Sequence, residues 1–364
     1  MTMNEKCKSH VDACRFCWMC HHICPIGNAT GQERNTARAR ALGISLVNRE
    51  ALNTEDIIDN IYECCTCGGC VSVCATGWDP VMFTKEFRAQ AALEGKLPAY
   101  IRTLVQNCLE TGNAYGKTEI NADLAKAIGA HAEKTDTLFY LGTDARYFAP
   151  ELAAMAIGIL EKAGVAFTVA KQEPESGAQL DFLVGKLNET ENQMRACAKE
   201  LNAYKTVIVY DPTDAKAIKQ LYKEYGIEVG AKVVTYTAFL AELVQTGKLK
   251  LKKTGKTVVY QDPYQLSRDL EETEPAREVI GACADLKEML LCRKETVWAG
   301  NTLMAEYLPE VIRGVSERRI FNAVSIGADT MVTASPSEYA ALKQVAQTGV
   351  EILSLDELIT KAMQ

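Results

Sequence analysis

Apolar residues recur at helical spacing through the first hundred or so positions of the chain. Thr36 to Val47 carries Ala37, Ala41, Ile44 and Val47 on one face, with Arg34, Arg38 and Arg40 leaving the apolar side. Thr54 reads as the N-cap of a second helix, with Glu55 and Asp56 in its first turn. Ile57, Ile61 and Cys64 share one face of it, so it is expected to deliver Cys64 to the interior. Met82 to Leu93 aligns Phe83, Phe87 and Ala91. Pro98 stands at the first position of a further helix through Ile101, Leu104, Val105, Cys108 and Leu109, and Gly112 stops it. Asn113 to Gly116 is turn-rich and reads as the start of a hinge.

From about Thr135 the pattern changes to short apolar runs alternating with helices, the α/β signature. It also repeats. Thr137–Asp144 parallels Thr257–Tyr264, and Lys205–Asp214 is echoed by Asp329–Glu338. Each second motif leads into a helix, Ala215 to Tyr225 or Tyr339 to Thr348. An apolar strand is expected next, Ile227 to Val229 or Val350 to Leu353. Two lobes with small parallel sheets would bury a shared seam. Ligands of such sheets sit at the carboxyl ends of the strands, here 142–147, 211–214, 262–268 and 334–338.

Cysteine changes this picture most. Cys14, Cys17, Cys20 and Cys24 are spaced C-x2-C-x2-C-x3-C, with Pro25 following, and Cys64, Cys67, Cys70 and Cys74 repeat the spacing. Two such runs are the ligand set of a two-cluster ferredoxin, in which the fourth cysteine of each run crosses to the other cluster. The spacing assigns Cys14, Cys17, Cys20 and Cys74 to one [4Fe–4S] cluster and Cys64, Cys67, Cys70 and Cys24 to the other. A structural zinc site is the competing reading, but zinc usually takes two Cys/His pairs from separate hairpins. Cys7 and Cys65 fall outside the register and read as bystanders. Phe16, Trp18 and Met19 are expected to form an apolar sheath over the first cluster, with His21 and His22 packing or hydrogen bonding nearby. The fold class that follows is α+β multidomain, a helical two-cluster ferredoxin domain followed by two repeated α/β lobes. The expected boundaries are 1–112 for the cluster domain, 113–134 for a hinge, and 135–250 and 251–364 for the lobes.

The chain has 364 residues, long enough for two or three domains, and its 48% hydrophobic content is ample for normal cores. Its 14 cysteines do not read as disulfides, because Met1 to Val11 is polar with no apolar leader. A reducing cytoplasm is therefore expected. No apolar run approaches the roughly 18–20 residues of a membrane span, so any membrane association would run through a partner. A formal net charge of −7 gives no electrostatic case for nucleic acid. No Gly-rich dinucleotide or phosphate loop is present, which places flavin and nicotinamide on a partner.

The two cysteine runs, the Gly31–Arg40 insert, the Gly112–Gly116 turn and both lobes together resemble a known family. It comprises the iron–sulfur subunits of glycolate oxidase and anaerobic glycerol-3-phosphate dehydrogenase, and the related catalytic subunit of heterodisulfide reductase. In that family each lobe carries a cysteine-rich "CCG" domain: a strand-end cysteine, a mid-lobe Cys-Cys-Gly and a Cys-Pro-x-Cys. This sequence is similar in framework and departs at the thiolates. Thr143, Glu175-Ser176-Gly177 and Asp211-Pro212-Thr213-Asp214 stand at those places in the first lobe. Tyr264, Trp298-Ala299-Gly300 and Ser335-Pro336-Ser337-Glu338 stand there in the second. Hard oxygen ligands do not replace soft thiolates around an iron–sulfur cluster.

The resemblance implies a non-catalytic electron-transfer subunit. It would relay electrons between an FAD-containing dehydrogenase and an electron-transfer flavoprotein or quinone-linked subunit, with the lobes as a docking scaffold. The alternative is a catalytic disulfide or thiol reductase with a cluster between the lobes, which requires the missing cysteines. Asp211, Asp214, Asp262, Ser335 and Glu338 read as polar turn residues rather than as a hard-cation site, since their spacing imitates no calcium or magnesium loop. Cys108, Cys197, Cys283 and Cys292 read as core thiols.

Overall fold

The computed structural model describes residues 3–345 and 349–363, so the last three residues of the expected 339–348 helix lie outside the described residues. Helices dominate, with two small parallel sheets, and the chain divides into two compact units. The first unit contains Met1–Gly116 together with two later segments, Gln179–Asn192 and Leu303–Val315. The second contains Lys117–Ala178, Gln193–Thr302 and Ser316–Gln364.

Eight helices build the first unit: α1 Glu5–Val11, α2 Met19–Ile23, α3 Pro25–Thr30, α4 Ala37–Asn48, α5 Thr54–Tyr62, α6 Gly69–Ser72, α7 Pro80–Leu93 and α8 Ala99–Thr111. Their ends follow local chemistry. The Thr36 hydroxyl accepts from the Ala39 amide at the start of α4. Helix α5 is capped one residue earlier than expected, at Asn53, because Asp56 reaches back to the Asn53 amide at 2.8 Å in a capping box. Asp79 caps α7 by accepting from Val81 and Met82, and Pro80 occupies the first turn. Pro98 is the N-cap of α8 rather than its first residue, and Gly112 ends that helix in the left-handed region at φ 80°. Ile44, Ile61, Tyr62, Phe83, Phe87 and Ile101 meet in one core, joined by Leu180, Leu183 and Leu303 from the later segments.

Arg88 of α7 is fully buried in that core. Its guanidinium donates to the carbonyls of Ile61, Cys64 and Phe182 at 2.9, 2.7 and 2.6 Å. It also lies over the rings of Tyr62 and Phe182. One cation therefore ties α7, the end of α5, the second cysteine run and the 179–192 segment together.

In the second unit, β1 Thr137–Tyr140, β2 Thr206–Val209 and β3 Lys232–Thr235 form one sheet in that order. β4 Thr257–Gln261, β5 Asp285–Lys287, β6 Thr330–Thr333 and β7 Glu351–Ser354 form the other, in the order β5-β4-β6-β7. Every pairing is parallel. A parallel bridge from Leu138 to Thr168 flanks β1 as β5 flanks β4, so both sheets have the same topology. The expected strand at Ile227–Val229 is not formed, and β3 begins at Lys232. Gly226 (φ 67°) ends the preceding helix, and the Ile227 amide turns back to the Tyr222 carbonyl at 2.8 Å. Ile227 is thus the apolar residue that seals a helix C-terminus. Phe139, Ile208 and Tyr236 share one core with Val258, Met331 and Leu358. Cys108, Cys197 and Cys283 are buried, whereas Cys292 is only half-buried.

Replacing Arg88 by Met keeps its length and leaves three buried carbonyls without their donor. The expected loss is about 3–5 kcal/mol, read as a lower thermal midpoint of the holoprotein. A midpoint equal to wild type would show that water or a neighbouring group replaces the guanidinium.

Candidate functional site

The two cysteine runs fold alike. Phe16 and Thr66 each occupy the left-handed region, at φ 57° and 50°. Each donates its amide to the sulfur two residues before it, Cys14 or Cys64, at 3.4 Å. Two residues further on, Trp18 and Gly68 are left-handed again, at φ 67° and 70°, and serve as N-caps of α2 and α6. The helical bonds that follow, His21 to Trp18 and Val71 to Gly68, are both 2.9 Å. A non-glycine residue at positive φ is uncommon, and a β-branched one such as Thr66 is an outlier. Consecutive left-handed turns curl each run so that its three thiols project around one centre.

Cys24, Cys64, Cys67 and Cys70 line a single cavity, which also takes in Cys65 and Arg40. Cys24 comes from the first run and the other four thiols from the second. The Cys24 thiol donates to the Asn35 carbonyl at 3.3 Å, and its sulfur accepts from the Gly27 amide at 3.4 Å. Burial raises the Cys24, Cys65 and Cys70 thiols above their ordinary range, and the neighbouring sulfurs add to it. Arg40 was expected on the polar side of α4; it is buried instead, donating to the Asn35 carbonyl at 2.6 Å. Burial alone would lower its pKa, but Cys64, Cys24 and Cys70 outweigh that and raise it. Soft donors around one guanidinium, with no carboxylate on the wall, fit an anionic iron–sulfur cluster.

The other thiols are nearer the surface. Cys14, Cys20 and Cys74 are half-buried and Cys17 is exposed. Burial raises the Cys20 thiol, and Cys14 and Cys17 add to the shift. Burial also opposes ionisation of Cys74, but the Thr76 hydroxyl and the amides of Thr76, Trp78 and Gly77 bring its pKa below the usual value. The Cys74 sulfur lies 3.3 Å from the Thr76 hydroxyl. Phe16, Trp18 and Met19 do not form the expected sheath. All three are exposed, with the Arg38 guanidinium over the Trp18 and Phe16 rings.

The polar strand-end positions of the second unit are buried and interlocked. Ser176 donates to Asp214 at 2.5 Å, and the Gly177 amide to Glu175 at 2.7 Å. The segment expected as a loop at 142–147 is a short helix, entered through Gly142 at φ 87°, where a Cβ would meet the Asp214 carboxylate at 2.1 Å. Asp211 caps another short helix, Pro212–Lys216. Arg277 holds Asp262 through two bonds, 2.6 and 2.9 Å. Gln261 donates to Glu338 and accepts from Arg319. Thr302 joins the two sets, donating to Asp144 and sharing a 2.9 Å hydrogen bond with Ser337. Among the described residues no three His, Cys, Asp or Glu side chains converge on a position for one metal ion.

Residues 10–78 match the 4Fe-4S dicluster domain family. An iron–sulfur subunit of dihydromethanophenazine:CoB–CoM heterodisulfide reductase from Methanosarcina acetivorans is 24% identical, over 90% of this chain and 87% of its own length. A subunit of the fumarate reductase (CoM/CoB) from Methanothermobacter marburgensis is 20% identical, over 96% and 72% respectively. The chain belongs to the heterodisulfide reductase and glycolate oxidase type of iron–sulfur family. Heterodisulfide reductase relatives are thus similar along nearly the whole chain, while the dicluster match covers the two cysteine runs. Among solved structures, aspartate racemase from Picrophilus torridus overlaps 61% of the chain with a TM-score of 0.31 and 9% identity. No described helix is long and apolar enough to cross a membrane.

Burial pushes Asp211 up to about 7, with Asp144 adding to it, and pushes Glu338 up to about 8 against the hydrogen bonds it accepts. The folded state therefore keeps protons that the unfolded chain releases near pH 4. Their contribution to stability is complete below about pH 4 and is lost as pH rises through 7 to 8, on the order of a few kcal/mol. The thermal midpoint is expected to be lower at pH 8.5 than at pH 6, and Glu338→Gln to flatten that fall. A midpoint that rises over this range contradicts the assignment.

Proposed function

We propose that this chain is an iron–sulfur electron-transfer subunit that relays electrons between a flavin-dependent dehydrogenase and a second carrier. The observation that carries the reading is that Cys24 of the first run lines one cavity with Cys64, Cys67 and Cys70 of the second. That is the crossing expected of a two-cluster cage. In this reading Cys64, Cys67, Cys70 and Cys24 hold one [4Fe–4S] cluster, and Cys14, Cys17, Cys20 and Cys74 hold the other. Each cluster, when bound, takes up and releases single electrons.

The chain's own residues set the conditions for that exchange. Arg40 supplies buried positive charge beside the inner thiolates, which favours the more negative reduced state. Amides of Phe16, Gly27 and Thr66 donate to ligand sulfurs and act in the same direction. The left-handed turns hold the thiols in place before any cluster arrives. Residues 1–112 serve as the cluster domain, 113–134 as the connection, and 135–250 and 251–364 as two lobes that form the docking scaffold. The partners of this reading are an FAD-containing dehydrogenase and an electron-transfer flavoprotein or quinone-linked subunit, in the cytoplasm. Subunits of oxidoreductase complexes among the relatives support a partnered role. A thiol-reductase role gains no support from the strand-end residues, where Glu175, Asp214 and Glu338 offer oxygen in place of sulfur.

Anaerobically purified protein is expected to carry about eight irons per chain, two cubanes' worth. Cys24→Ala should abolish the cluster of the second run and Cys74→Ala that of the first, each read by electron paramagnetic resonance. Loss of the first-run signal in Cys24→Ala would refute the crossing. In Arg40→Met the potential of the second-run cluster should fall by tens of millivolts to about 100 mV, the scale of one nearby charge at an effective dielectric near 20. An unchanged potential would remove Arg40 from this role.

A further inference from the structure

The first cysteine run exposes what the second hides. Their backbones follow the same path, yet the left-handed cap is glycine in one run and tryptophan in the other. Gly68 adopts that conformation without strain, whereas Trp18 and Phe16 are strained in it. Burial does not offset this, for Phe16 is 63% exposed, Trp18 42% and Met19 49%. The other two tryptophans, Trp78 and Trp298, are 3% and 2% exposed. Arg15 to Met19 is an unbroken exposed stretch with Cys17 at its centre. Contiguous apolar residues exposed to water mark an interaction surface.

The stretch is organised as well as exposed. The Arg38 guanidinium lies 4.1 Å from the Trp18 ring centre and 5.2 Å from that of Phe16. His21 meets Trp18 edge-on at 6.0 Å, and His22 meets His21 at 5.6 Å. On a chain of net charge −7, the charges set among these rings are the guanidinium groups of Arg15 and Arg38. The nearby carboxylate of Glu33 is engaged by Arg38 at 2.9 Å. Tryptophan and arginine at the centre of a patch are the residues that dominate binding energy at protein interfaces. Local positive charge on an acidic protein steers an acidic partner to that spot.

We propose that this aromatic collar is the docking face for an acidic, flavin-bearing electron-carrier protein, and that electrons cross at the Cys17 edge. The proposal rests on the reading of the first run as a cluster ligand set. In each encounter one electron leaves the carrier's reduced flavin and enters through the Cys17 edge. The proton released by the flavin goes to water, and no bond forms to this chain. Flat rings around Cys17 exclude water there and bring the two redox centres close. The second run, with Thr66, Gly68 and Gly69 at the matching places and its thiols in a cavity, offers no such surface.

The test uses the full chain with its clusters in place, mixed anaerobically in a stopped-flow instrument with reduced flavodoxin as the acidic flavin carrier. The second-order rate is expected to fall steeply with added salt. It should drop tenfold or more in each of Trp18→Gly, Phe16→Asn and Arg15→Glu, while iron content, paramagnetic signals and reduction by dithionite stay at wild-type values. Oxidised flavodoxin should also shield Trp18 from iodide quenching. Glycine and asparagine tolerate the left-handed conformation, so neither variant should lower the thermal midpoint. Wild-type rates in all three variants would overturn the proposal. So would a wild type that dithionite reduces but flavodoxin does not, or a dimer in sedimentation that Trp18→Gly disperses, which would assign the collar to a second copy. Absence of any dithionite-reducible cluster from the first run would instead overturn the relay reading beneath it.

Discussion

A buried arginine without a carboxylate partner holds the first unit together. Arg88 gathers the carbonyls of Ile61, Cys64 and Phe182, which belong to a helix end, a cysteine run and a segment more than ninety residues later. The carbonyl it takes from Cys64 is the backbone of the first thiol in the second run. Position and packing are therefore coupled there, because moving α7 would move the thiol. Arg40 repeats the device one layer further in, bonded to the Asn35 carbonyl beside the same cavity. Two cations in an apolar interior are costly in isolation. One is satisfied by carbonyl dipoles, and the other also faces thiols whose charge it complements.

The second unit solves a different problem. Parallel strands end where their carbonyl ends and the following helix N-termini meet, the place where such sheets bind ligands. Here those ends are filled by Asp144, Glu175, Ser176, Asp211 and Asp214 in one lobe, and by Asp262, Ser335, Ser337 and Glu338 in the other. Arg277 and Arg319 compensate the second set, while the first is richer in carboxyl groups, and burial holds Asp211 and Asp214 toward their protonated forms. These residues are a closed hydrogen-bonded plug. Polar side chains at the family's thiolate positions are therefore structural members of the lobe, and Gly142 shows how tightly they fit. The two π-helical turns, Ala217–Leu221 and Gln265–Asp269, follow the plug in each lobe and are joined near it by the Gln265–Thr213 hydrogen bond.

Much of this was legible in the chain itself. Cysteine spacing identified two matched runs, because the ligands of a cubane must recur at fixed short intervals. Helical periodicity and short apolar runs located the helices of the first unit and the parallel strands of the second, since each depends on neighbours only a few residues away. The repeat between Thr137–Asp144 and Thr257–Tyr264 announced two sheets of one topology, and β1 and β4 begin at Thr137 and Thr257. Where local chemistry was misread, the error was small and had a local cause. Asn53 outcompeted Thr54 as cap through Asp56, and Ile227 closed a helix rather than opening a strand.

Tertiary structure alone decided which faces meet. Arg40 reads as a surface residue by its charge, and only the folding of α4 against the second run shows that thiols and the Asn35 carbonyl receive it. Phe16 and Trp18 read as a water-excluding sheath by their size, but left-handed backbone at those positions leaves them exposed. Cys24 and Cys64 are forty residues apart, and no periodicity reports that they share a wall. Spacing along the chain determines what each segment is able to hold. The distances between segments are set by packing, in which a buried guanidinium or a turned ring depends on partners the local sequence does not contain.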